Sequence, residues 1–301
     1  MSRWAKSKRH YSRINLSFVS VFGFILLCFY SILILFVIGW ALFSSVKDDF
    51  DFMYSPFGWP ESWHFDNYLT ALNKFSVPVD SHGGSRDVFL FEMLGNSFLY
   101  AFGAATVNTL TCAMVGYASA KYPHKKLSHL IYAIVIFTLI FPAVGTLASE
   151  IQVSKALHTY GNYFGILFMK CNFLGMNFLI FYAAFKTIPW DYAEAAFVDG
   201  ASHFRVMSRI MMPMIRPISL SAWLLSFIGY WNDYYTPMIY WPSHPTAAYG
   251  LYLYQFSSGS DISSTPMKLA GAIIVFLPVF VLFLVTKKRL IGNLTVGGLK
   301  G

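Results

Sequence analysis

Six stretches of this chain stay apolar over the length a helix needs to cross a bilayer, about 20 residues. They run over 18–43, 93–120, 130–148, 163–185, 218–240 and 269–286. The first is the cleanest, with no charged residue between Arg13 and Lys47. Asn96, Asn108, Pro142, Lys170 and Asp233 interrupt the later ones. Composition agrees: 56% of the 301 residues are hydrophobic and only 12% charged, against roughly 25% charged in an average soluble domain. A soluble globular domain, a disordered chain and a small disulfide scaffold are excluded on that balance. Cys28, Cys112 and Cys171 lie in apolar runs and form neither a zinc spacing nor a disulfide framework. The expected architecture is an all-α integral membrane protein with six transmembrane helices.

The net charge of +8 is a statement about orientation rather than about nucleic acid. Of the 22 lysines and arginines, 16 fall on one side of the predicted spans. These are Arg3 to Arg13 before the first span, Lys121 to Lys126 after the second, Lys186 to Arg216 between the fourth and fifth, and Lys287 to Lys300 after the sixth. By the positive-inside rule both termini are expected to be cytoplasmic. The first apolar stretch is about twice a signal-peptide core and lacks a cleavage site, so an uncleaved helix is expected. The domain plan is then a cytoplasmic segment at 1–17, a first helix at 18–43 and an extracytoplasmic loop at 44–92. A core of five spans follows at 93–286, and a cytoplasmic tail at 287–301.

The loop at 44–92 is acidic and rich in turn formers, such as Ser55-Pro56-Phe57-Gly58-Trp59-Pro60. Too short for its own core, it is expected to pack over the outer mouth. The segment from Trp241 to Pro266 is aromatic and almost uncharged. Trp241, Tyr249, Tyr252, Tyr254 and Phe256 suit either an interfacial belt or a docking surface, with the belt preferred.

The segment between spans four and five predicts a helix–turn–helix over 188–212. Pro189 suits a first helical turn, and Asp191 and Glu194 complement the positive end of its dipole. Gly200 offers a left-handed stop, and Ser202 can cap a second short helix that Pro213 ends. Ala193, Ala196 and Ala201 give it a small-residue face that permits close approach by a cytosolic partner. The alternative is an interfacial helix that merely joins two spans.

The run Glu194-Ala195-Ala196-x-x-Asp199-Gly200-Ala201-Ser202, with Ile210-x-x-Pro213 and Arg216-Pro217 behind it, closely resembles the EAA motif. That motif marks the membrane subunits of binding-protein-dependent ABC importers. Asn96-Ser97, Trp231-Asn232-Asp233-Tyr234 with Pro237, and the tail Ile291 to Gly301 resemble the carbohydrate-uptake branch, of the type of the maltose transporter's second membrane subunit. The resemblance implies a type I ABC importer fold in a bacterial or archaeal cell membrane. It also implies coupling helices that dock on a cytosolic ATPase, with Glu194 as the acidic anchor and Gly200 permitting the turn. Asp199 and Ser202 would cap, Ala195, Ala196 and Ala201 would keep the interface close, and Lys300 and Gly301 would reach the ATPase. Implied partners are a homologous second permease subunit, an ATPase dimer, an extracytoplasmic solute-binding protein, membrane lipid and a sugar.

The sequence carries no phosphate-binding Gly-x-x-x-x-Gly-Lys-Ser/Thr loop. No cofactor and no catalytic role are therefore expected in this chain, and ATP and Mg are assigned to the partner ATPase. Its eight histidines show no metal spacing. Polar groups at membrane depth are costly and mark pathways by default, which selects Lys170, Asn172, Asn177, Trp231, Asn232 and Asp233. An aromatic ring beside amides and a carboxylate suits a sugar, whereas helix–helix hydrogen bonding is the plainer role. Lys170 suits an anionic sugar or simple snorkelling to the interface, and Asn108, Gly103 and Gly116 suit packing. The competing function is an ion-coupled secondary transporter, which expects paired acids and an inverted repeat; the chain offers Asp233 and no convincing repeat. A membrane-embedded transferase is a weaker third reading.

Overall fold

The computed structural model describes residues 18–81, 84–122, 125–141, 145–256 and 264–294. Its elements in order are α1 (Phe18–Ser45), α2 (Asp49–Tyr54), α3 (Asp66–Lys74), strands β1 (Ser76–Ser81) and β2 (Gly84–Phe89), α4 (Leu90–Lys121), α5 (Lys125–Ile140) and α6 (Leu147–Ala156). Then come α7 (Tyr163–Met169), α8 (Met176–Lys186), α9 (Asp191–Val198), α10 (His203–Val206), a π-helical turn (Met207–Met211) and α11 (Met212–Met214). The last described elements are α12 (Arg216–Trp231), α13 (Tyr235–Tyr240), α14 (Ala247–Phe256) and α15 (Thr265–Leu294).

Among the described residues three helices are long and apolar enough to cross a membrane: Phe18–Ser45, Leu90–Lys121 and Thr265–Lys287. A fourth candidate is the pair His203–Met214 and Arg216–Trp231, bent by 80°. The predicted spans at 163–185 and 218–240 are each two helices around a break, α7 and α8 about 170–175, and α12 and α13 about 232–234. Hydropathy reports apolar content along a window but not continuity of the backbone. At the first break the side chain of Asn172 accepts from Leu174 N at 2.6 Å, giving the backbone a local alternative to helix. At the second, Asp233 Oδ1 accepts from Thr236 N at 3.0 Å and so opens the next helix.

The long helix α4 is the axis of the molecule, flanked by α8 and α12. Close approach to α8 is permitted by Gly116: a Cβ there would lie 2.9 Å from Phe181 Cβ and 3.1 Å from Tyr182 N. Helix α1 contacts the remainder mainly through α15, and its apolar side chains are turned outward. Apolar side chains turned outward along a 28-residue helix are stable only away from water, in hydrocarbon or against another apolar surface.

The segment 44–92 does not form a single cover. Its first half folds back against α1. Its second half is the antiparallel hairpin β1–β2, paired from Ser76↔Phe89 to Ser81↔Gly84. Phe75, Val77, Val79 and Val88 of this half share one core with Leu90, Met93, Ala247, Tyr254 and Val275. Tyr254 and Trp241 are accordingly buried, and Tyr252 stacks on Tyr234 at 4.3 Å. Most of the predicted aromatic belt thus serves the chain's own packing, while Phe256 remains exposed.

Candidate functional site

Two regions gather the predicted residues, one at each end of α12. Sixteen residues of helix separate them, roughly 24 Å.

The first is the turn joining α9 to α10. Gly200 has φ of 77°, the left-handed conformation that glycine adopts without steric cost. Gly200 N donates to Phe197 O at 3.0 Å and Ala201 N to Ala196 O at 2.9 Å, the paired bonds of a Schellman C-cap. Ser202 then caps α10 by accepting from Arg205 N at 3.4 Å. Asp199 takes the backbone C-cap position of α9, so the side-chain cap comes from Ser202 and not from both. Ala193 and Ala196 are buried among Tyr117, Phe185, Val206 and Met211. They serve internal packing and are unavailable to a partner; Ala201 is half-buried and Ala195 exposed. Glu194 stands free of that core on the exposed side, with Val198 at 88% and Phe204 at 69% exposure. Those two apolar side chains are inconspicuous in the sequence, where the small residues of the motif stand out and nothing marks which side chains project.

The turn is fastened to the end of α4. Lys121 Nζ donates to Ile188 O. Tyr122 hydrogen-bonds His203 Nδ1 at 2.9 Å and packs edge-on to Trp190. A displacement of α9–α10 therefore acts directly on α4.

The second region lies where the two breaks face α4. Asn108, half-buried on α4, donates to Asn172 O at 2.8 Å and reaches Lys170 O at 3.5 Å. Asn177 donates to Asn108 Oδ1 and to Ser226 Oγ, both at 2.9 Å. A cavity of about 280 Å³ opens here, lined by Asn108, Cys112, Asn172, Gly175, Asn177 and Tyr230 among others. Asn108 is thus the centre of the network and not a packing residue. Its position in the middle of an apolar helix, a costly place for an amide, is the signal that could have found it.

Beside this cavity Lys170 and Asp233 meet, with Nζ 3.5 Å from Oδ2. Lys170 also donates to Thr236 Oγ1 at 3.1 Å and lies 5.1 Å from the centre of the Tyr230 ring. Tyr100 OH donates to Asp233 Oδ2 at 2.7 Å. Both charged side chains keep 20% of their surface accessible. The lysine that suited an anionic sugar is therefore already matched by a carboxylate. Two other predicted residues stand apart. Trp231 is buried and donates to Val275 O at 3.2 Å, so it joins α12 to α15. Asn232 is exposed and its amide bonds Ile228 O of its own helix at 2.9 Å. Lys300 and Gly301 lie outside the described residues.

At the same end of the bundle, Glu150 ties α6 to α13 by accepting from Thr146 Oγ1 at 2.6 Å and Tyr240 OH at 3.0 Å. Those two donors hold its carboxyl below the usual range.

Comparison with known proteins fits this arrangement. Residues 112–290 match the family described as binding-protein-dependent transport system inner membrane component, and the chain belongs to that family. It is a multi-pass membrane permease component of ABC import, a non-catalytic class, which sets aside the ion-coupled alternative. The chain is 26% identical to the diacetylchitobiose uptake system permease protein NgcG of Streptomyces coelicolor, over 90% of this chain and 86% of that protein. It is equally 26% identical to the sulfoquinovosyl glycerol transport system permease protein SmoH of Agrobacterium fabrum, over 87% of each. The solved structure of a bacterial ABC transporter involved in importing the acidic polysaccharide alginate shares the fold, with a TM-score of 0.72 at 21% identity. That match covers 90% of this chain and 95% of the other.

Proposed function

We propose that this chain is one half of the translocation pathway of a sugar or oligosaccharide importer, paired with a homologous permease subunit. A solute-binding protein would deliver the sugar from outside, and a cytosolic ATPase dimer using ATP and Mg would drive alternating access. In this reading the chain crosses the membrane six times, with both termini in the cytoplasm and broken helices at 163–185 and 218–240. The α9–α10 turn lies on the cytoplasmic face as the coupling element. Glu194 anchors the ATPase electrostatically, Val198 and Phe204 seat in its surface, and the tail with Lys300 and Gly301 adds a second contact.

The observation that carries this reading is the turn itself. A Schellman cap and a serine N-cap fix its shape, its alanines bolt it to the bundle, and its acid and two large apolar side chains project outward. An internal linker has no need of exposed apolar side chains on a rigid frame.

At the other end, Asn108, Asn172, Asn177, Ser226 and Tyr230 supply amide, hydroxyl and ring surfaces suited to a sugar. Asp233 withdraws the charge of Lys170, which supports an uncharged glycan. The test is to reconstitute the chain with its neighbouring gene products in nanodiscs and compare binding-protein-stimulated ATP hydrolysis for wild type and Glu194→Ala. Loss of stimulation, or loss of the ATPase from the complex, is expected. Normal stimulation of an intact mutant complex would overturn the coupling role.

A further inference from the structure

Lys170 and Asp233 are paired, yet each also has uncharged partners of its own. Asp233 Oδ1 accepts from Thr236 N at 3.0 Å and Oδ2 from Tyr100 OH at 2.7 Å. Two neutral donors therefore hold the carboxylate, whatever stands at 170. Lys170 Nζ donates to Thr236 Oγ1 at 3.1 Å. It also lies 5.1 Å from the centre of the Tyr230 ring and 6.0 Å from that of Tyr100. The negative faces of two rings attract a cation without help from a carboxylate. Removing either member leaves the other charged and still held.

The pair also stands against the polar cavity. Tyr230, whose ring lies under the ammonium, is one of the lining residues, and Asn172, two residues after Lys170, is another. Asn108 fastens that wall by donating to Asn172 O at 2.8 Å and reaching Lys170 O at 3.5 Å. None of the lining residues is charged. Their amides and phenol present donors and acceptors together, which a solute of either sign can use. The walls therefore do not choose between neutral and charged solutes, and the balance between Lys170 and Asp233 does. Both side chains keep 20% of their surface accessible, so their field is not sealed away. At an effective dielectric of about 20, unit charges roughly 8–10 Å apart still interact by more than thermal energy.

Taking the cavity as the sugar's route, as proposed above, we infer that Asp233 is the residue that sets the charge preference of this pathway. It cancels Lys170 and so keeps the cavity for uncharged sugars. Loss of Asp233 hands the cavity the charge of the lysine and turns its preference to anionic sugars such as uronates. Loss of Lys170 leaves the carboxylate and turns the preference to cationic amino sugars. Loss of both returns the cavity to neutrality. Selectivity for charge thus resides in one exchangeable pair beside the cavity rather than in the residues that line it.

The test reads the charge of the cavity in the complete transporter in nanodiscs. Leu174 lines the cavity and is 40% exposed, and Leu174→Cys in a Cys171→Ser background provides a reporter thiol there. Its modification is followed by mass spectrometry with three methanethiosulfonates: the neutral methyl, the anionic sulfonatoethyl and the cationic trimethylammonioethyl reagent. The neutral reagent corrects each variant for access. Relative to the reporter with the pair intact, the anionic-to-cationic rate ratio is expected to rise about tenfold with Asp233→Asn and to fall about tenfold with Lys170→Met. The double variant Lys170→Met with Asp233→Asn is expected to restore it. Opposite shifts that cancel are not produced by a local collapse, which slows all three reagents together. Unchanged ratios, or shifts of one sign in both single variants, with the neutral reagent still reaching residue 174, would make the pair a structural tie and overturn the assignment. The cavity would then stand as the route without it. No reaction with the neutral reagent, in either the ATP-free or the vanadate-trapped complex, would close the cavity to solutes and overturn the route and the assignment together.

Discussion

Lys170 shows how a single residue changes meaning once its neighbours are known. Alone in an apolar stretch it suits an anionic substrate, a snorkelling anchor or an internal pair. The 3.5 Å approach of Asp233 selects the internal pair, and Thr236 and Tyr100 complete the set of partners. Removing one member of such a pair strands the other, which costs more than removing both. Asp233→Asn is therefore expected to destabilise the purified complex by about 1–3 kcal/mol, read as a lowered melting temperature. The double variant Lys170→Met with Asp233→Asn should recover most of that loss. If the double variant is as unstable as the sum of the singles, the pair contributes nothing through charge. The polarity of these positions is legible in the sequence because charge in hydrocarbon is conspicuous. Their pairing is not, because 62 residues separate them. Trp231 misleads for the opposite reason: an aromatic ring beside Asn and Asp resembles a sugar platform, yet its ring is buried and its N–H points to Val275.

At the scale of elements, the sequence announces helices by their apolar length and conceals whether they are continuous. The helices over 18–45, 90–121 and 265–287 have the apolar length of spans. The breaks at 170–175 and 232–234 depend on Asx-type side-chain bonds that hydropathy does not register. The hairpin at 76–89 is likewise obscured, since its apolar alternation is short and Gly84 and its neighbours resemble an open loop. The α4–α8 crossing is easier to foresee, because a glycine inside a helix usually answers to a packing demand. Gly116→Ala is expected to cost about 1–3 kcal/mol through overpacking against Phe181 and the Tyr182 backbone. Gly95→Ala in the same helix, where the added methyl meets nothing within 4 Å, is expected to be neutral or stabilising by roughly 0.5–1 kcal/mol. Equal melting temperatures for the two variants would mean that α8 is not seated on Gly116.

For the whole molecule the question is how an event at the α9–α10 turn reaches a cavity roughly 24 Å away. Two helices make the journey together. Helix α4 holds the turn at Lys121 and Tyr122 and carries Asn108 and Tyr100 to the cavity. Helix α12 follows the turn through α10 and α11 and brings Ser226, and at its end Asp233 in the break after it, to the same place. Between the two levels they are pinned by Trp223, whose Nε1 donates to Thr106 Oγ1 at 3.0 Å and whose ring meets Phe102 at 5.6 Å. A pinned pair moves as one body, so a displacement at the turn arrives at the cavity rather than being absorbed by sliding. Trp223 belongs neither to the turn nor to the residues that line the cavity, which makes it a probe of transmission. Under the proposed function, Trp223→Ala is expected to preserve assembly and binding-protein-stimulated ATP hydrolysis while lowering the sugar moved per ATP by about tenfold. That corresponds to roughly 1.4 kcal/mol of lost coupling. Proteoliposomes in which uptake and hydrolysis are counted together provide the ratio. An unchanged ratio would show that α4 and α12 need not move together, and the transmission would then have to run through α8, which Gly116 seats on α4.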